Sequence, residues 1–434
     1  MDLKPGYKQT AVGAIPKDWD VVQIAQVAEE ITVGFVGSMA HLFIKQGVPL
    51  LRGQNVLPNK LDLKETRFIS ANTHKVWKKS ALHRGDVVVV RVGYPGTACV
   101  IPKELGEANA ASLVVIRPLS KKLDSMYLSL VINSDFGKRQ IDSYLVGGAQ
   151  QVLNTTTAAV FKLPLPTKSE QRAIAEALSD VDALIAALDR LIAKKRDIKQ
   201  ATMQELLTGK RRLPDFESRK GYKQTEVGMI PEDWSVVALE NAVVSGGLVR
   251  GPFGGALKKD CFVKGGYKVY EQRNAIDATV EKGNYFIDLI KFRELERFRI
   301  KPGDFIVSCS GTIGCIYQIP SEAPDGVINQ ALLKISLNDE IVNDRFFLAV
   351  FRSKSFQERI KDNTHGGAMQ NLVGMTVFKK TRFQLPPRAE QLSISIVLSD
   401  MDAEIAALEA RREKILALKQ GMMQELLTGR IRLV

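Results

Sequence analysis

In two stretches of this chain, apolar residues recur in steps of alternately four and three positions. In Glu390–Leu433 they fall at Ile394, Leu398, Met401, Ile405, Leu408, Ile415, Met422 and Leu426, interrupted by Arg412 and Lys419. In Glu170–Leu213 the same register holds Ile174, Leu178, Val181, Ile185, Leu188, Ile192 and Leu206. This is the heptad seam of a helix that buries one narrow stripe against a partner. Both stretches close on LLTG, where Gly209 or Gly429 can take the left-handed conformation that ends a helix. Each is a long helical rod. Alone, each rod would leave its stripe in water, so the pattern predicts that the two pack on each other. Entry is also marked twice: LPLPTKSEQ sets Thr167 three residues before Glu170 as a capping box, and FQLPPRAEQ puts Pro387 near the first turn.

The duplication reaches beyond the helices. GYKQTAVGAIPKDWDVV (Gly6 to Val22) returns as GYKQTEVGMIPEDWSVV (Gly221 to Val237). RGDVVVVRVGYPGTACVIP (Arg84 to Pro102) is answered by PGDFIVSCSGTIGCIYQIP (Pro302 to Pro320), and GGAQQVL from Gly147 by GGAMQNL from Gly366. Copies that keep their punctuation while their interiors diverge suggest one scaffold carrying two surfaces. VVVVRV and FIVSCS read as short strands, whereas SMYLSLVINSDFGKRQI and NDRFFLAVFRSKSFQERI read as surface helices. The expected fold is α+β: two tandem globular domains joined by two long repeated helices in an antiparallel coiled coil, with pseudo-two-fold symmetry. The predicted boundaries are a first domain over 1–166 with lead-in 6–22, a helix over 167–209 and a charged linker over 210–220. A second domain follows over 221–386 with lead-in 221–237, then a helix over 387–434.

Composition changes the picture in one respect. The 434 residues carry a net charge of +13, which suits a polyanionic partner, nucleic acid first. Cys99, Cys261, Cys309 and Cys315 form no CxxC pair and lie near no histidine cluster, so neither zinc nor a disulfide framework is expected. The start lacks a signal sequence and no apolar run approaches a membrane span, which predicts a cytoplasmic protein.

Candidate chemistry is mostly missing. GPFGGALKK has glycines and lysines in the wrong spacing for a phosphate loop, and HExxH and GxSxG are absent. A methyltransferase would need a cofactor-cradling glycine loop and an Asn/Asp-Pro-Pro-aromatic motif, and the chain has neither. The acids of PKDW and PEDW stand beside a Trp in the lead-in, a packing pattern more than a catalytic one. No catalytic or metal residue is assigned. Binding groups recur instead in equivalent loops: Arg52, Gln54 and Asn55 against Gln272, Arg273 and Asn274; Arg91, Tyr94 and Thr97 against Ser308, Ser310 and Thr312; and Gln150, Gln151 and Asn154 against Gln370 and Asn371. Arg can bridge guanine O6 and N7, and Asn or Gln can bridge adenine N6 and N7. Arg250, Lys258 and Lys259 suit phosphate contacts, which position without reading sequence.

The paired GYKxTxxGxIPxDW lead-ins, the glycine-punctuated turns, the LPLP…EQ and LPP…EQ helix entries and the MQELLTG helix ends resemble the specificity subunit of type I restriction–modification systems, over essentially the whole chain. The resemblance implies a non-catalytic chain in which each domain binds one half of a bipartite double-stranded DNA target, with the helices as spacer. It also implies two adenine-N6 methyltransferase subunits using S-adenosylmethionine, which two ATP- and Mg2+-dependent restriction subunits can join; this chain itself needs no cofactor. The unlike domain interiors predict an asymmetric target. The competing readings are a methylation-only system, an enzyme that acts on DNA alone, and a coiled-coil DNA binder without sequence preference.

Overall fold

In a computed structural model, residues 5–145, 152–217, 221–362 and 371–433 are described. They form two units: Met1–Arg190 with Glu409–Val434, and Leu191–Leu408. The first long helix runs Lys168–Thr208 and the second Arg388–Leu426, so each unit holds one half of each helix.

Within each unit the two helix halves run antiparallel, as their ion pairs record. In the first unit Lys419 reaches Asp182 at 2.6 Å and Arg412 reaches Asp189 at 2.5 Å, so the partner number falls as the first rises. In the second, Lys195 meets Glu404 at 2.6 Å and Lys199 meets Asp402. The two cations that interrupt the seam are therefore each matched by a carboxylate on the facing helix. The apolar seam positions are buried or half-buried, Ile174, Leu178 and Ile394 almost completely. Thr167 caps the first helix through its Oγ1 to the Glu170 amide at 3.3 Å, but the reciprocal half of the capping box is missing. The Glu170 carboxylate is engaged elsewhere: it accepts the Trp19 indole N–H at 3.1 Å and pairs with Arg432.

In both units a four-stranded antiparallel sheet lies between two apolar layers. Its order in the first unit is Ala98–Val100, Val87–Val90, Leu113–Pro118, Ala28–Val33. Val87 and Val89 face the helices Ser125–Asn133 and Lys168–Thr208, while Val88 and Val90 face a second, smaller sheet. Burial on both faces explains an unbroken valine run where a half-exposed strand would alternate. The smaller sheet sets Val48–Leu51 parallel to Ala108–Ala110 at its centre. The second unit repeats this plan, with Phe305–Ser308 and Leu332–Leu337 central in the larger sheet and Tyr267–Tyr270 parallel to Gly326–Ile328 in the smaller.

The expected surface helices differ in two ways. Each breaks at a serine: Ser125–Asn133 ends before Ser134, and Asp344–Arg352 ends at Ser353, which caps Lys354–Ile360. Ser125–Asn133 is also buried from Tyr127 to Asn133, because it packs under the larger sheet. The charged linker is not free either, since Arg212 is buried.

The lead-ins are packing elements. Trp19 and Trp234 are buried and lie against the helix ends, where Gly429 (φ +67°) and Gly209 (φ +69°) terminate each rod. A Cβ on either glycine would stand 2.6 Å from Pro16 Cδ or 2.5 Å from Pro231 Cδ, so both backbone conformation and space require glycine.

Candidate nucleic-acid interface

Strand direction decides where the loops go. Strands Ala28–Val33 and Val87–Val90 end beside the start of Leu113–Pro118, with Val33 opposite Val114 and Val90 opposite Leu113. The parallel strands Val48–Leu51 and Ala108–Ala110 end together and feed the same edge: the amide of Ala111 donates to Leu51 O and that of Phe35 to Ala110 O, both at 2.8 Å. Turns 34–37, 52–55, 91–96 and 111–112 therefore share one rim. Leu153 joins them by donating its amide to Arg91 O at 3.0 Å, and Arg91 Nε returns a bond to Leu153 O.

The second unit builds the same rim from 250–253, 271–274, 309–312 and 329–331. Gly251 donates to Leu332 O, Asn329 to Tyr270 O, and Leu372 to Cys309 O, the last at 3.5 Å. Gly34 and Gly251 make the close approach: a Cβ there would stand 2.5 Å from the Ala110 carbonyl or 1.8 Å from that of Asn329. Loops that sequence alone could only list as equivalent are thus brought together in each unit.

The named side chains divide into frame and face. Asn55 and Asn274 are buried, and each accepts a backbone amide three residues earlier, from Arg52 at 3.0 Å and Glu271 at 2.8 Å. Their Nδ2 groups donate to Asp62 O in one case and to Thr279 O and Lys282 O in the other. Ser308 is fully buried and accepts the Cys315 amide at 3.0 Å. The polar atoms of these three side chains are engaged in holding the turns. Thr97 Oγ1 donates to Tyr94 O, closing its own turn, and exposed Asn154 caps helix Thr155–Val160 through the Thr157 amide.

Gln54, Tyr94, Arg273, Ser310 and Thr312 are exposed on the rims, and Lys258 and Lys259 on the segment following the second rim. Arg52, Arg91, Arg250 and Gln272 are half-buried at the base. Gln272 Oε1 accepts the Ser310 amide at 3.3 Å, tying two turns of the second rim. Gln150, Gln151 and Gln370 lie outside the described residues, as does the side chain of Asn371.

Arg52 has a neighbour the sequence did not single out. Arg52 and Arg67 both lie over the Phe43 ring, at 5.8 and 5.9 Å. Burial, with Arg67 close by, lowers the Arg52 pKa from its ordinary value, and its Nε is buried without a hydrogen-bond partner. Two guanidinium groups held over one ring form a compact positive site. Arg67 has no counterpart at a repeated motif, so recurrence could not flag it.

Among the described residues, no group of three His, Cys, Asp or Glu could hold a metal ion, and no helix is long and apolar enough to cross a membrane.

A family model described as the type I restriction modification DNA specificity domain matches residues 16–194 and 250–417. The putative type I restriction enzyme MjaX specificity subunit of Methanocaldococcus jannaschii is 27% identical over 438 residues, covering 98% of this chain and 96% of its own length. A solved structure concerned with complex assembly and conformational transition of the type I R-M system aligns with a TM-score of 0.59 at 14% identity, over 96% of this chain and 99% of that one. The type I restriction–modification S subunit from M. genitalium aligns with a TM-score of 0.54 at 14% identity, over 98% of both chains. The two structural likenesses bear on the fold.

Proposed function

The chain belongs to the type I restriction–modification DNA specificity family, and from that premise we propose that each unit reads one half of a split DNA target through its loop rim. One observation carries this reading: equivalent turns in the two units carry different exposed side chains. Gln54 and Tyr94 stand on the first rim where Arg273 and Thr312 stand on the second. Two surfaces on one scaffold fit two unlike half-sites, hence an asymmetric target. Arg52 and Arg273 are the guanine-bridging candidates, with Gln54 and Gln272 beside them. Arg250, Lys258 and Lys259 would neutralise phosphates and fix register.

In this reading the chain contributes recognition and no chemistry. It directs two adenine-N6 methyltransferase subunits, with restriction subunits joining where the system has them. The repeated helices, 41 and 39 residues long, are the element expected to set the spacer between half-sites. Competition binding with the full chain and its methyltransferase subunits tests the proposal. The target duplex should resist random-sequence competitor, and Arg52→Ala or Arg273→Ala should weaken it while lowering the salt dependence. Equal competition by random DNA would leave a binder without sequence preference. Methyl transfer by the purified chain alone would overturn the non-catalytic role.

A further inference from the structure

Two exposed rings on the rims have no role in the fold. Among the described large hydrophobic side chains, Phe253 (85% exposed) and Tyr94 (84%) are the most exposed. Each stands on a glycine-framed turn: Phe253 follows Gly251, whose backbone is pressed against Asn329, and Tyr94 lies between Gly93 (φ +91°) and Gly96 (φ +88°). Holding an aromatic ring in water forgoes the burial such a side chain ordinarily gains.

Their placement is complementary. Phe253 occupies the turn after the outer strand of the larger sheet, where the first unit has Val36. Tyr94 occupies the turn after the central strand, where the second unit has Thr312. Each rim thus carries one such ring, from a different one of two equivalent turns. In either unit those turns are separated by one intervening strand, so they stand about 10 Å apart. That separation spans several base-pair rises of a duplex, which stack at about 3.4 Å.

We propose that Phe253 and Tyr94 are wedge residues, each inserting its ring partly between stacked base pairs at one step of its half-site. This rests on the half-site reading above. A wedge unstacks the step it enters, which costs least at flexible pyrimidine–purine steps. It therefore selects for a deformable step at a position where no hydrogen bond reads a base. Because the rings occupy non-equivalent turns, the selected step lies at a different offset in each half-site. Arg250 precedes Phe253 on the same segment and Lys258 and Lys259 follow it, and these cations would hold the flanking phosphates.

The test uses the full chain assembled with its methyltransferase subunits and a duplex carrying the methylated motif, with 2-aminopurine placed at successive positions. Binding should raise the fluorescence at one step per half-site. Phe253→Ala should abolish the rise in one half-site and Tyr94→Ala in the other, each weakening binding about tenfold. Phe253→Trp and Tyr94→Phe should retain both signals, and thermal unfolding of all four variants should match the parent because the rings contact water. Unchanged affinity and fluorescence in both alanine variants overturn the wedge assignment while leaving the half-site reading intact. An unsubstituted assembly that does not prefer the motif duplex over a scrambled one overturns both.

Discussion

Arg212 and Glu390, 178 residues apart, form a buried two-point pair, with Nε to Oε1 at 2.9 Å and Nη2 to Oε2 at 2.5 Å. The same carboxylate accepts the Trp234 indole N–H at 2.9 Å, and Asp233 takes both terminal nitrogens of Arg212. The first unit repeats the cluster with Arg432, Glu170, Trp19 and Asp18. Each cluster ties the end of one helix to the start of the other and to a lead-in. Hydrogen bonding to the carboxylates raises the pKa of both arginines above their ordinary value.

Removing one partner of a buried pair strands the other charge, so Arg212→Ala should destabilise the second unit by about 3 kcal/mol in urea unfolding. Arg432 is more exposed, so Arg432→Ala should cost less. Its pH signature has a definite sign. The hydrogen bond from Arg432 holds the Asp18 carboxyl below its ordinary 3.8. The stabilisation is present above that value and lost as pH falls through the lower folded-state value. Arg432→Ala should therefore flatten stability between pH 5 and the acid limit, a window of roughly the ordinary carboxylate range. An unaltered acid unfolding curve would contradict the cluster.

The seam cations make a second prediction. Lys419 with Asp182 and Lys199 with Asp402 occupy equivalent positions in the two helices. Asp182→Lys should lower the melting temperature, because it sets two cations face to face, and adding Lys419→Asp should restore it. Partly exposed pairs contribute up to about 1 kcal/mol, so the reversal is the diagnostic feature, not the size. A double variant no better than the single one would mean that the pairs do not report register.

The division of rim residues into frame and face can be tested by comparing Asn55→Ala with Arg52→Ala. Asn55→Ala leaves the Arg52 amide and Asp62 carbonyl without their partner and should cost about 1–3 kcal/mol, with half-site choice unchanged while the protein stays folded. Arg52→Ala should do the reverse, sparing stability and weakening DNA binding. Paired melting and binding measurements on Asn274→Ala and Arg273→Ala extend the comparison to the second unit.

The long helices were legible because a heptad seam is a strong signal and because it was written twice. The rim loops were legible by recurrence, since the turns after the central strands kept their glycines and turns 52–55 and 271–274 kept an asparagine. Recurrence could not tell Asn55 from Gln54: both are polar loop residues, and only the turn geometry sends one amide inward. The buried clusters show the opposite case. Trp19, Glu170 and Arg432 each recur at matching positions, yet their meeting depends on the end of one helix lying beside the start of the other, a contact across 262 residues. The burial of Ser125–Asn133 escaped for a related reason, because its amphipathic pattern does not record that a sheet covers its second face.

The most direct test of the central claim is a genome-wide map of adenine methylation in a host expressing this chain with its methyltransferase subunit. The account predicts a split motif of two unlike half-sites. Replacing residues 21–165 should change one half alone, and replacing 236–385 the other. A contiguous motif, or a split motif indifferent to both replacements, would contradict it.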